Sequence, residues 1–154
     1  TDGASFSVGD LDLFEFFAEL ADQTQALVTL DTGHLLGWEW NQGRFEDEMY
    51  WHLEDFPFDQ VIEIHMAGSE VKNGGFIDRH HGILLDDQFK LLDFLVPRSP
   101  NLKVITYEDP KFDLEGNLIS LAKPSFIKLK ESVKKWKLSK ISQTLSSVAI
   151  QSMS

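Results

Sequence analysis

The sequence contains no cysteine. That absence excludes disulfides, thiolate metal sites and a cysteine nucleophile, and it fits a reducing cytoplasm. Long apolar runs are missing too. No stretch approaches the roughly 18 residues of a membrane-spanning helix, so no membrane association is expected. The opening Thr1-Asp2-Gly3-Ala4-Ser5 has neither the basic region nor the apolar run of a signal peptide. No methionine precedes Thr1, and the chain reads as a fragment or a processed product. Basic residues are scarce over most of its length. Residues 123–154 hold seven of the 14 Lys and Arg, against Glu131 as their one acid. Residues 1–122 hold the other seven, against 24 of the 25 acids. Such an acidic body lacks the basic footprint of a nucleic-acid binder, so no nucleic-acid partner is expected. The lysines at 128, 130, 134, 135 and 137 read as a solvated helix face, with attraction of an acidic partner as the alternative. Also absent are Gly-x-Gly-x-x-Gly, the phosphate loop with Gly-Lys-Ser/Thr, and the Gly-x-Ser-x-Gly elbow.

The 154 residues, 42% of them hydrophobic, suffice for one domain or part of one. Leu13, Phe14, Phe17, Leu20 and Ala21 recur at helical spacing and predict a helix over 10–23. Residues 26–31 predict a buried strand. Thr32-Gly33-His34 then turns away, and a loop with Trp38, Trp40, Asn41 and Gly43 leads into a helix over about 45–55 that ends at Pro57. A second strand is expected over 60–65. A long loop follows over 66–85, with Asn73-Gly74-Gly75 as a turn. Asp86 starts a helix that stops before Pro97, residues 103–108 form a third strand, and Pro124 opens a last helix. Residues 139–154 read as a flexible tail. Strands separated by helices imply βαβ units and a parallel sheet. The expected fold is therefore α/β, of the (β/α) TIM-barrel type. Three strands make about half of the eight-stranded barrel, here over residues 1–138.

The three strands end alike, in Leu30-Asp31, Ile64-His65 and Tyr107-Glu108. Because side chains alternate along a strand, Thr29 and Asp31 share a face, as do Glu63 and His65, and Thr106 and Glu108. In a barrel that face points at the axis, and the C-terminal mouth is where active sites are built. Asp78 and His80 arrive from the loop after the second strand. Histidine and carboxylate without thiolate favour iron, manganese or zinc, and several carboxylates permit bridging between metals. Taken singly, a strand-end Asp is more often a helix cap, and a buried His is more often a hydrogen-bonded core residue. Five such residues at strand mouths and one loop make coincidence the weaker account. His34 lies at the rim of this set. His52 reads as surface, and His81 should point away from His80. Trp38, Trp40, Tyr50 and Trp51 either line a substrate cleft or pack a loop onto the barrel.

The motifs Leu30-Asp31-Thr32-Gly33-His34, Val61-Ile62-Glu63-Ile64-His65-Met66-Ala67-Gly68, Ile77-Asp78-Arg79-His80 and Tyr107-Glu108-Asp109 together resemble the multinuclear non-haem iron-dependent oxidative enzymes. These include the methanobactin-biosynthesis type and the enzymes acting on peptide cysteines. The resemblance covers about residues 10–136 and implies the C-terminal part of a TIM barrel with two or three irons at its mouth. It further implies oxygen-dependent oxidation of a cysteine-containing ribosomal peptide, often with a partner protein that presents the peptide. Asp31, His65, Asp78, His80 and Glu108 would be iron ligands. The family often has Asn where this chain has Gly33-His34, and His34 would stand in for it. The family often has His where this chain has Ser69. Glu63, one step below His65, and Asp109, which follows Glu108, are the candidate catalytic residues. The N-terminal half of the barrel would supply further ligands. Two other readings remain beside this one. One is a zinc-, manganese- or magnesium-dependent isomerase or phosphoesterase of the xylose-isomerase-like type. The other is a non-catalytic half-barrel that serves as a binding module.

Overall fold

A computed structural model describes residues 13–41, 43 and 56–151, with side chains over 14–137 of that range. In chain order the elements are α1 (Leu13–Thr24), β1 (Val28–Asp31), α2 (Thr32–Asn41), a 3-10 turn (Phe58–Gln60), β2 (Val61–Ala67), β3 (Ser69–Lys72), β4 (Gly75–Asp78), α3 (Asp86–Arg98), β5 (Val104–Glu108) and α4 (Lys123–Gln151). β1, β2 and β5 form a three-stranded parallel sheet in the order β1-β2-β5, and β3 and β4 form a separate two-stranded one. The mixed α/β architecture with a parallel sheet is the one the alternation of strands and helices predicts.

The alternation within β2 separates core from site. Ile64 and Met66 point to one face and are fully buried, while Glu63 and His65 point to the other. Leu30 and Ile105 flank Ile64 in register. The apolar face they form meets Leu35 and Leu36 of α2 and Leu91, Leu92 and Leu95 of α3 in one cluster. Each such side chain withdrawn from water is worth about 1.5–3 kcal/mol. The polar face of the sheet is left to the mouth residues.

Four stretches differ from the sequence reading. Residues 32–41 are a helix rather than a loop. Asp31 Oδ1 accepts the backbone N–H of His34 at 2.9 Å, a helix cap that satisfies one of the donors left free in a first turn. The glycines at 33 and 37 hid this helix from propensity. Residues 66–85 contain the β3–β4 hairpin rather than a plain loop. Its turn is Asn73-Gly74, with φ of 54° and 74°, the pair of positive angles that a two-residue hairpin of matching twist requires. α3 continues through Pro97 to Arg98, because a proline at the penultimate helical position removes only one late hydrogen bond. The helix expected over 45–55 lies outside the described residues. α4 is helical through residues 139–151, the stretch read as a tail.

The hairpin carries Asp78 back to the end of β2, since Ser69 and Asp78 are partners in its register. The loop behind it is pinned by Gly68, whose carbonyl accepts the N–H groups of Arg79 (2.8 Å) and His80 (2.9 Å). A Cβ on Gly68 would lie 2.4 Å from Gly82 N and 2.5 Å from His81 Nδ1, so the chain can pass here only over a glycine. Gly68→Ala should therefore destabilise the fold by about 1–3 kcal/mol, as overpacking does, and displace the His80 loop. Urea denaturation measures the first effect. A midpoint equal to that of the unsubstituted protein would show that the loop repacks freely.

Candidate metal centre

Register sets the layout of the mouth. Asp31 lies beside His65, His65 beside Thr106, and Ala67 beside Glu108. Glu108 is thus one side-chain repeat farther along the same face, roughly 6.6 Å up the sheet. From there its carboxylate reaches back, and Glu108 Oε2 lies 3.1 Å from His65 Nδ1. The other ring nitrogen, His65 Nε2, lies 3.2 Å from Glu63 Oε1. Glu63 is itself held by a hydrogen bond from Thr106 Oγ1. A carboxylate on the far nitrogen of an imidazole is how a ligating histidine is oriented.

The hairpin closes the arc. Asp78 Oδ2 lies 3.2 Å from His80 Nε2 and 3.4 Å from His34 Nε2. His80 Nδ1 is 3.7 Å from Glu108 Oε1. Two triads, Asp31–His65–Glu108 and Asp31–His34–Asp78, each bring three donor atoms within 4.8 Å of one another. Asp31 belongs to both. Its Oδ1 caps α2, so the capping role and a ligand role coexist in one carboxylate.

The electrostatics suit a cation. Burial pushes the Asp31 carboxyl above the usual range, and Glu108 and Asp78 add to this against the opposing His34. Burial likewise disfavours the charge on Asp78, but His34 and His80 outweigh it and hold that carboxyl below its ordinary value. In return, the hydrogen bond to Asp78 raises His34. The Asp78 side chain is only 7% exposed, and its Oδ1 is buried with no hydrogen-bond partner. A buried anionic oxygen without a partner is costly. A metal ion would supply what it lacks, and the N/O donor set of three histidines and three carboxylates fits one.

All six candidate ligands, Asp31, His34, His65, Asp78, His80 and Glu108, thus come together, and Glu63 stands behind His65. Asp109 is not brought into the cluster. It is exposed, with Oδ2 at 2.7 Å from Lys111 Nζ. His81 points elsewhere, its Nδ1 accepting the Ile83 N–H at 3.2 Å. Trp38 is buried in the core, and Trp40 Nε1 donates to the Gly74 carbonyl of the hairpin at 3.3 Å, so both pack. Tyr50, Trp51 and His52 lie outside the described residues. Sequence reasoning missed Gly33, where a Cβ would meet Asp31 Oδ1 and Ser69 Oγ at 3.2 Å. It also missed Tyr107, whose hydroxyl donates to the Gly82 carbonyl behind the His80 loop. Thr32 and Gln88, buried beneath the mouth, were missed as well. The available signal was a glutamine on the apolar stripe of α3, one turn before Leu91 and Leu92.

The sequence model of a family described as RiPP precursor modification enzyme MbnB/TglH/ChrH matches residues 4–117. No curated protein matches the chain.

Asp31→Asn separates the two roles of that residue, because asparagine caps a helix as well as aspartate does. Asp31 has a folded-state pKa above its unfolded value. Its ionised form therefore costs stability once pH rises through the folded pKa, and none below the unfolded value. At neutral pH the metal-free variant should melt at the same temperature as the parent or higher. Its metal affinity should fall by more than the ~10–100-fold typical of outer partners. A lower melting temperature with unchanged affinity would reduce Asp31 to a cap.

Proposed function

The chain belongs to the MbnB/TglH/ChrH family of RiPP precursor modification enzymes, and on that premise we propose that it oxidatively modifies a cysteine-containing precursor peptide at a multinuclear non-haem iron centre. The observation that carries the reading is Asp31, shared between two triads of His and carboxylate. A carboxylate common to two donor sets is suited to bridge two ions, and His80, within reach of both Asp78 and Glu108, extends the set towards a third. Iron, when bound, supplies the Lewis acidity and the redox capacity for an oxygen-dependent oxidation.

The chain's own residues do the rest. Asp31, His34, Asp78, His65, His80 and Glu108 would hold the ions. Glu63 keeps the His65 ring oriented by taking its Nε2 side. Among the described residues β1 and β5 each pair on one side only, and the remaining strands of a barrel, including its N-terminal half, would complete the wall on those edges. The cysteine of the peptide would approach from the open face, brought there by a peptide-presenting partner protein. The chemistry belongs to the cytoplasm. No helix among the described residues is long and apolar enough to cross a membrane. The same donor types also accept zinc or manganese, which makes a metal-dependent enzyme without oxidation the second reading.

Anaerobic reconstitution with Fe(II), followed by metal analysis and assay of oxygen uptake with a cysteine-containing peptide, tests this. Two or three irons per chain and peptide-dependent oxygen uptake are expected. His80→Ala should lower the iron content and reduce turnover by ~100-fold or more. Retention of zinc or manganese alone, with turnover indifferent to oxygen, would establish the second reading instead.

A further inference from the structure

We propose that Gln88 is the positioning residue of the metal centre, fixing the spacing of Asp31, His65 and Glu108 from beneath the sheet. The proposal rests on the metal-centre reading above. Gln88 lies in the first turn of α3, and its side chain is fully buried. Its Nε2 donates to the Ala67 carbonyl at 2.7 Å and to Thr32 Oγ1 at 3.1 Å. Its Oε1 accepts the Leu85 N–H at 3.0 Å. Thr32 Oγ1 in turn donates to the His65 carbonyl at 3.0 Å.

Leu85, at the start of α3, anchors the amide oxygen, and the other partners in this network adjoin or are ligands. Thr32 follows Asp31 in the chain. His65 is itself a candidate ligand, and Ala67 is the register partner of Glu108. One carboxamide therefore ties the end of β1 to the end of β2, next to the point where β5 delivers Glu108. The amide orientation is set by its surroundings. Reversed, its oxygen would face the Ala67 carbonyl and its NH2 would face the Leu85 N–H, leaving acceptor against acceptor and donor against donor. A glutamate would also place an oxygen before the Ala67 carbonyl, so only the amide satisfies all three contacts. The neighbours of Gln88 along the buried face of α3 are Leu91, Leu92 and Leu95, where an apolar side chain would pack as well. What glutamine adds there is a fixed distance between strand ends.

Gln88→Met keeps the length of the side chain and removes the network. Ser99→Ala is the control, since Ser99 is equally buried but lies at the opposite end of α3, where its Oγ donates to the Leu95 carbonyl. The full chain is titrated with Co(II), whose visible d–d bands report coordination geometry. Gln88→Met should weaken Co(II) binding about 10–100-fold and change the band pattern, while Ser99→Ala leaves both as in the parent. Thr32→Val should act like Gln88→Met, and the double variant should be no worse than either single, as members of one network behave. A second measurement uses metal-free protein. The imidazole nitrogen shifts of His65 in NMR spectra should move in Gln88→Met and stay in Ser99→Ala. Unmoved His65 shifts, or Co(II) binding equal to the parent, overturn the positioning role. If the parent itself binds no Co(II), the metal-centre reading fails, and the His65 shifts alone then decide whether Gln88 sets the geometry of the mouth.

Discussion

The mouth of the sheet depends on holding like charges together. Asp31, Asp78 and Glu108 converge within a few ångströms, with Glu63 just behind. Carboxylates so placed raise one another's pKa unless cationic groups intervene. Here imidazoles alternate with the acids around an arc: Glu63, Glu108 and Asp78 each have a histidine nitrogen at 3.1–3.4 Å, while Asp31 offers a donor atom within 4.8 Å of His65 and His34. The balance is incomplete, as the raised Asp31 carboxyl and the unpartnered oxygen of Asp78 record. A site left partly uncompensated in its metal-free form is one poised to gain from binding positive charge.

That arrangement needs a backbone able to pass close to itself. β2 ends, the chain crosses Gly68, makes a hairpin, and returns its Asp78-Arg79-His80 segment over the same glycine. Gly33 plays the matching part just after β1, in the first turn of α2, leaving room between Asp31, Ser69 and Asp78. Beneath, the apolar face of the sheet is sealed by α2 and α3, so the strand ends have no freedom to splay. The Gln88 amide and the Thr32 hydroxyl place polar groups inside that seal and satisfy every one of them. Satisfied networks of this kind define one arrangement of their surroundings where an apolar contact would tolerate several.

Family membership gives the arc its chemical context, modification of a ribosomally made peptide. The donor set adds what kind of group could perform it. Among the described residues the strands carrying the ligands are open on both outer edges, and the site face is open to a substrate. A peptide approaching there would meet acids and imidazoles, while Trp38 and Trp40 are committed to packing α2 and the hairpin.

Much of this was legible in the residues. Strand alternation put Asp31, His65 and Glu108 on one face, because period-two patterning survives whatever the strands pack against. Asn73-Gly74 marked a turn, because its positive backbone angles are intrinsic to those residue types. The α2 helix was not legible. Two glycines and two tryptophans lower its propensity, and its stability comes from the Asp31 cap and the burial of Leu35, Leu36 and Trp38. Nor was the solvent-facing place of Asp109, which lies just past the end of β5 and meets Lys111 on the surface. The sequence by itself determined which side chains face the mouth, since that follows from local geometry along each strand. Only the tertiary structure decided that Asp31 serves two triads, that the hairpin register returns Asp78 and His80 to the strand ends, and that Gln88 lies beneath them. Those relations join residues many positions apart, and they arise from how the hairpin and α3 pack against the sheet.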